Sequence, residues 1–197
     1  MHRVRRRLGL LAPRGWTGAA LAVSLFAAAA PGIAAPDLEL AWYDPDAIVD
    51  TELEAVAGEV AAIFGDLGKR VALARGSGLE APGAKLLRVI VVKEPVAAWN
   101  LGPDVMGVTP RKGGGKSVYL IVPALREVLG GAPEEGEMAL ALARVLAHEV
   151  VHAVAPEHPH AAHGLMGARY QRRLLVKKRF RVDPACAAAF IDGLDAL

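Results

Sequence analysis

The spacing of hydrophobic positions changes several times along the chain, and each change predicts an element. Residues 38–42 alternate with Asp37 and Glu39 and read as a first strand closed by the turn residues Asp44, Pro45 and Asp46. A helix follows from an N-cap at Asp50, with Leu53, Val56, Ala57, Val60, Ala61, Ile63 and Phe64 at helical spacing until Gly65 and Gly68 interrupt it. Residues 71–74 read as a short second strand. Residues 86–92 are a continuous, branched apolar run, the pattern of a strand buried on both faces at the centre of a sheet. Between 93 and 116 the chain turns loop-like, with Pro95, Gly102, Pro103, Gly107, Pro110 and three consecutive glycines; strand character returns at 117–122. A short helix over 123–129 ends at Gly130 and Gly131. Glu134, Glu135 and Glu137 then populate the first turn of a long helix, whose stripe of Met138, Leu142, Val145, Leu146 and Val150 runs until Pro156 disfavours helix at Ala155. The pattern predicts a single α/β domain with a small mixed, twisted sheet, a long helix carrying the chemistry and a short C-terminal helical part.

Composition alters this picture mainly at the N-terminus. Arg3, Arg5, Arg6, Arg7 and Arg14 form a basic leader, 16–30 is an uncharged apolar run, and small residues follow through Ala34 and Ala35. This is the layout of a secretory signal cleaved after Ala34, and the run is shorter than the roughly 20 residues a spanning helix needs. The expected division is a signal peptide over 1–34 and a functional domain over 35–197, exported to the periplasm or secreted, with no membrane span once the leader is gone. The leader holds five of the 23 basic residues and none of the 21 acidic ones, so 18 basic residues face 21 acidic ones in the remainder, a net charge of −3. General nucleic-acid binding therefore loses its electrostatic support. The one cysteine, Cys186, provides no internal disulfide and reads as a buried apolar residue of an Ala-rich helix. Gly115, Lys116 and Ser117 do not make a phosphate-binding loop, because Pro110 stands where that motif needs glycine and a strand follows where it needs a helix.

The chemistry concentrates at His148, Glu149, Val150, Val151 and His152, an HExxH sequence on the long helix. Two histidines four apart lie on one helical face, so their imidazoles can converge on a single ion without breaking the helix. Such an ion, taken as one catalytic Zn2+, polarises a carbonyl and activates water, while Glu149 beside it serves as the general base that passes the proton on to the leaving amine. The expected activity is zinc-dependent hydrolysis of peptide bonds in a protein or peptide substrate. Five of the six histidines fall between His148 and His163, so the motif has candidate third ligands just downstream.

Over residues 148–166 the chain resembles the metzincin clan of zinc peptidases, whose motif HExxHxxGxxH is followed by a methionine turn. The resemblance implies that His158 is the third ligand and that Met166, eight residues later as in the matrixins, forms an apolar floor beneath the metal. One position departs: Ala155 stands where the clan has glycine, and Pro156 follows it. A residue with a Cβ resists the positive φ that glycine gives that turn. If Pro156 ends the helix by another geometry, the register shifts, and His160 or His163 takes the place of His158. No glutamate follows Glu157 and the later carboxylates Asp183, Asp192 and Asp195 lie in no metal-binding pattern, which favours a nearby histidine over a third ligand from a later helix.

Tyr170 lies four residues beyond Met166 rather than the two at which some metzincins place a zinc-contacting tyrosine, so its expected role is packing or rim. The segment bounded by Arg169 and Arg181 has seven basic residues and no acidic ones, a solvated face or a weak contact for an anionic surface. Residues 117–122 are expected near the cleft, where a substrate could add as a strand. Two competing readings are a non-catalytic zinc or peptide-binding module on the same scaffold, and an envelope structural protein whose histidines are surface groups.

Overall fold

The computed structural model describes residues 35–49, 53–76, 85–94, 97–110, 116–177 and 180–197. The expected signal segment 1–34 and the N-cap at Asp50 lie outside the described residues. The described chain is α/β. Strands β1 (Leu38–Tyr43), β2 (Val71–Arg75), β3 (Lys85–Val92), β4 (Gly107–Val108) and β5 (Ser117–Ile121) form one sheet in the order β2-β1-β3-β5-β4. The first four in that order run parallel, and β4 pairs antiparallel with β5. Helices α1 (Leu53–Gly65), α2 (Val122–Val128), α3 (Glu137–Val154), α4 (Arg172–Leu175) and α5 (Pro184–Ala196) complete it.

The branched run at 86–92 does become the central strand. It is not buried on both faces as expected. Leu87, Val89 and Val91 are buried, whereas Arg88 is exposed and Leu86, Ile90 and Val92 are only half-buried. The buried set continues through Leu38, Leu40 and Trp42 of β1 and Val118 and Leu120 of β5, all one core with Val56, Val60 and Phe64 of α1 and Leu142, Val145 and Leu146 of α3. Two-residue alternation on the strands meeting a helical stripe is what welds these layers into a single core. Helix α5 closes its far end, capped by Asp183, whose carboxylate accepts from the Cys186 amide at 2.9 Å, with Phe190 stacked on Phe64 at 4.5 Å between centroids. Cys186 is buried there as anticipated, and burial pushes its thiol up to about 12.

Two expectations for 93–116 change. A 3-10 turn at Ala97–Trp99 sets Trp99 edge-on to Tyr119, and the two-residue strand β4 pairs Gly107 with Leu120 and Val108 with Tyr119. The strand expected over 117–122 ends at Ile121, with Val122 opening α2, and it is not an edge: β4 lies along its flank and forms one edge of the sheet, β2 the other.

Arg144, one turn before His148, is fully buried. Its guanidinium donates to the carbonyls of Leu174 (2.9 Å), Leu175 and Lys177, pairs with Glu59 at 3.4 Å and lies 5.1 Å from the centre of the Phe180 ring. One side chain of α3 thus satisfies the backbone of the segment that leaves α4. Arg144→Ala leaves the buried Leu175 carbonyl and the partly buried Leu174 and Lys177 carbonyls without their donor and removes the Glu59 pair, so urea unfolding is expected to show a loss of about 3 kcal/mol. A stability within 1 kcal/mol of wild type would show that water replaces the guanidinium freely.

Candidate metal centre

His148 and His152 leave α3 on one face, one turn apart, with ring centroids 4.8 Å from each other. The helix ends at Val154, as Pro156 requires, and Ala155 closes it at φ −128°, ψ 72°. No left-handed residue is used. Instead the His158 amide donates to the Ala155 carbonyl at 3.0 Å, a turn with Pro156 in its second position, where its fixed φ suits the geometry.

That turn moves the third histidine. The expected partner was His158; the structure brings His160 to the pair instead. His160 Nε2 lies 3.1 Å from His152 Nε2 and 3.2 Å from His148 Nε2. Among the described residues, His148, His152 and His160 are the group whose ligand atoms, all within 4.8 Å of one another, can hold a metal ion. His158 and the exposed His163 are not in it. The physical reason is the missing glycine: with Ala155 outside the left-handed region, the chain takes a wider path, and the histidine that returns stands twelve residues after His148 rather than ten.

The nitrogens fit a cation. Two ligands held about 2.0–2.1 Å from one tetrahedral ion lie about 3.3–3.4 Å apart, close to the separations observed here. His148 Nδ1 donates to the Leu165 carbonyl at 2.7 Å; because a carbonyl can only accept, the proton sits on Nδ1 and leaves a lone pair on Nε2, facing the other two rings. Burial holds His148 down to about 4, against the opposing pull of the Leu165 carbonyl and with a smaller push from His160. This ring is a neutral donor across the physiological range. His152 lies in the last turn of α3.

Leu165 is presented by a tight loop. Gly164 adopts φ +80°, a conformation that would strain a side-chain-bearing residue, Gly167 donates to its carbonyl, and Ala161 donates to the Met166 carbonyl at 2.6 Å. Met166 is fully buried in this loop. The Tyr170 hydroxyl donates to the same Leu165 carbonyl and lies 3.4 Å from His148 Nδ1, on the side of the ring away from the converging nitrogens. Burial raises its phenol well above the ordinary range.

Glu149 sits beside the triad, with Oε1 4.0 Å from His148 Nε2. Its other oxygen, Oε2, accepts from the Thr109 hydroxyl at 2.9 Å. Burial pushes its carboxyl up to about 7, and the Thr109 bond draws it part of the way back. The three histidines and Glu149 open on a cavity of about 450 Å³, walled by Met106 to Thr109 on one side and Gly167 to Gln171 on the other. The Thr109 contact and the edge strand that carries it had no sequence signal, because the partners are 40 residues apart. Comparison of the chain with protein-family models, curated proteins and solved structures finds no match. Among the described residues no helix is long and apolar enough to cross a membrane.

Proposed function

We propose that the chain is an exported zinc-dependent endopeptidase, metzincin-like in its chemistry, with His148, His152 and His160 as metal ligands and Glu149 as general base. The observation that carries this reading is the carboxylate of Glu149 placed 4.0 Å from one of three converging imidazole nitrogens, at the wall of a cavity open to a substrate. Imidazole nitrogens suit zinc among the available divalent ions, and three protein ligands leave a position free. When bound, such an ion would supply Lewis acidity for activating water and polarising the scissile carbonyl.

The remaining work falls to the chain itself. Glu149, a buried carboxylate beside the three histidines, would accept a proton from the attacking water and return it to the departing amine. His148 keeps its tautomer through the Leu165 carbonyl, so its lone pair stays aimed at the site. The loop with Met166 supports that carbonyl, and the basic leader and apolar run of residues 1–34 are the sequence features that support the proposed export.

Purified protein beginning at Ala35 is expected to bind one zinc per chain and to cleave labelled casein, with both properties removed by a chelator and restored by zinc. One zinc per chain without turnover would favour the non-catalytic binding module, and a folded protein with no affinity for zinc or related ions would end the metal reading altogether.

A further inference from the structure

We infer that Thr109 is a positioning residue, holding one carboxylate oxygen of Glu149 so that the other faces the histidine nitrogens. The inference rests on the peptidase reading and adds to it a residue from a separate element. Thr109 follows directly on the outermost strand β4, and its hydroxyl lies 2.9 Å both from Glu149 Oε2 and from the Glu149 backbone carbonyl. One hydroxyl proton is thus shared between two acceptors of a single residue, which fixes that side chain relative to its own helix backbone. With Oε2 held in this way, Oε1 is the oxygen left 4.0 Å from His148 Nε2.

The strand leading into Thr109 closes the seat from the opposite side. A Cβ on Gly107 would stand 2.7 Å from Glu149 Cγ, 2.9 Å from Val145 Cγ1 and 3.0 Å from Glu149 Oε1. Only a glycine lets the strand come this near, so β4 lies against the carboxylate arm and limits its rotamers. A buried carboxylate with, among the described residues, one side-chain donor and a wall along its stem is pre-organised, which is what a general base requires if it is not to be reoriented at each turnover.

Thr109→Val keeps the shape and deletes the donor; Thr109→Ser keeps the donor. On zinc-loaded protein with labelled casein, Thr109→Val is expected to lower kcat by about 10- to 100-fold with KM and zinc stoichiometry unchanged, and Thr109→Ser to restore most of it. The carboxyl 13C resonance of Glu149, assigned by its loss in Glu149→Gln, reads the same contact without turnover and is expected to move in Thr109→Val alone. Wild-type kcat in Thr109→Val, or an unmoved resonance, overturns the inference. Casein left uncleaved by the wild type overturns the peptidase reading instead, and the resonance then still decides whether Thr109 holds the carboxylate.

Discussion

Glu149→Gln is expected to keep its zinc and lose casein cleavage by about 10²–10⁴-fold, the range that a positioned general base contributes. The amide is nearly the size of the carboxyl and can still accept from the Thr109 hydroxyl, so the fold and the three histidines should be undisturbed. What it cannot do is take a proton. Because the native group is buried and, among the described residues, has no ion pair with a lysine or arginine, neutralising it removes a desolvated charge, and the metal-free variant should unfold at a urea concentration no lower than wild type. An inactive protein that binds zinc, is no less stable and is correctly processed isolates the proton transfer. Undiminished cleavage would reject Glu149 as the base.

The same group sets the direction of the pH dependence. In the metal-free protein its carboxyl is raised to about 7, so the unfolded chain, where it titrates near its ordinary value, releases that proton first as pH rises. A raised carboxyl therefore takes stability away between its ordinary value and about 7, and none is lost from this source at lower pH. His148 acts in the other direction. Its depressed value of about 4 means that the unfolded chain binds a proton that the native ring refuses, so stability falls as pH drops from the ordinary imidazole range toward 4. On the proposed peptidase reading, a bound dication would add positive charge beside Glu149 and bring its carboxyl below about 7, which would move the acid limb of kcat/KM below that value. In Glu149→Gln, what activity survives should lack that limb.

The parts of the fold that were legible in the sequence are those whose signal is a period. Helix α3 carries an apolar stripe through Met138, Leu142, Val145, Leu146 and Val150, and it appears with its end fixed by Pro156. The strand at Leu38–Tyr43 was announced by alternation and that at Lys85–Val92 by an apolar run, but a run does not tell how many faces are covered, and Arg88 shows that the two faces of β3 differ. Strand β4 was missed because two residues between Pro103 and Pro110 display no alternation; it exists through its pairing with Tyr119 and Leu120. The HExxH pair was visible because four-residue spacing on a helix is itself geometry. Thr109 was invisible for the opposite reason, since its only relation to Glu149 is tertiary.

The third histidine separates a borrowed spacing from a local cause. His160→Ala is expected to weaken zinc binding by well over the roughly 10- to 100-fold that loss of an outer-shell partner costs, while His158→Ala and His163→Ala stay within about threefold of wild type. The difference follows from the turn. Ala155, at φ −128°, leaves the helix without the left-handed step that a glycine would take, and the Ala155–His158 hydrogen bond with Pro156 inside it occupies the residues that would otherwise carry a ligand back. Pro159 follows, and His160 is the first histidine whose ring reaches the pair on α3, at 3.1 and 3.2 Å. Replacing Ala155 by glycine makes the tighter path accessible again, so Ala155→Gly combined with His160→Ala should recover part of the lost affinity through His158. Zinc competition titrations on these four variants decide the matter: loss of the metal in His158→Ala with retention in His160→Ala would mean that the chain turns as the metzincin motif does despite its alanine.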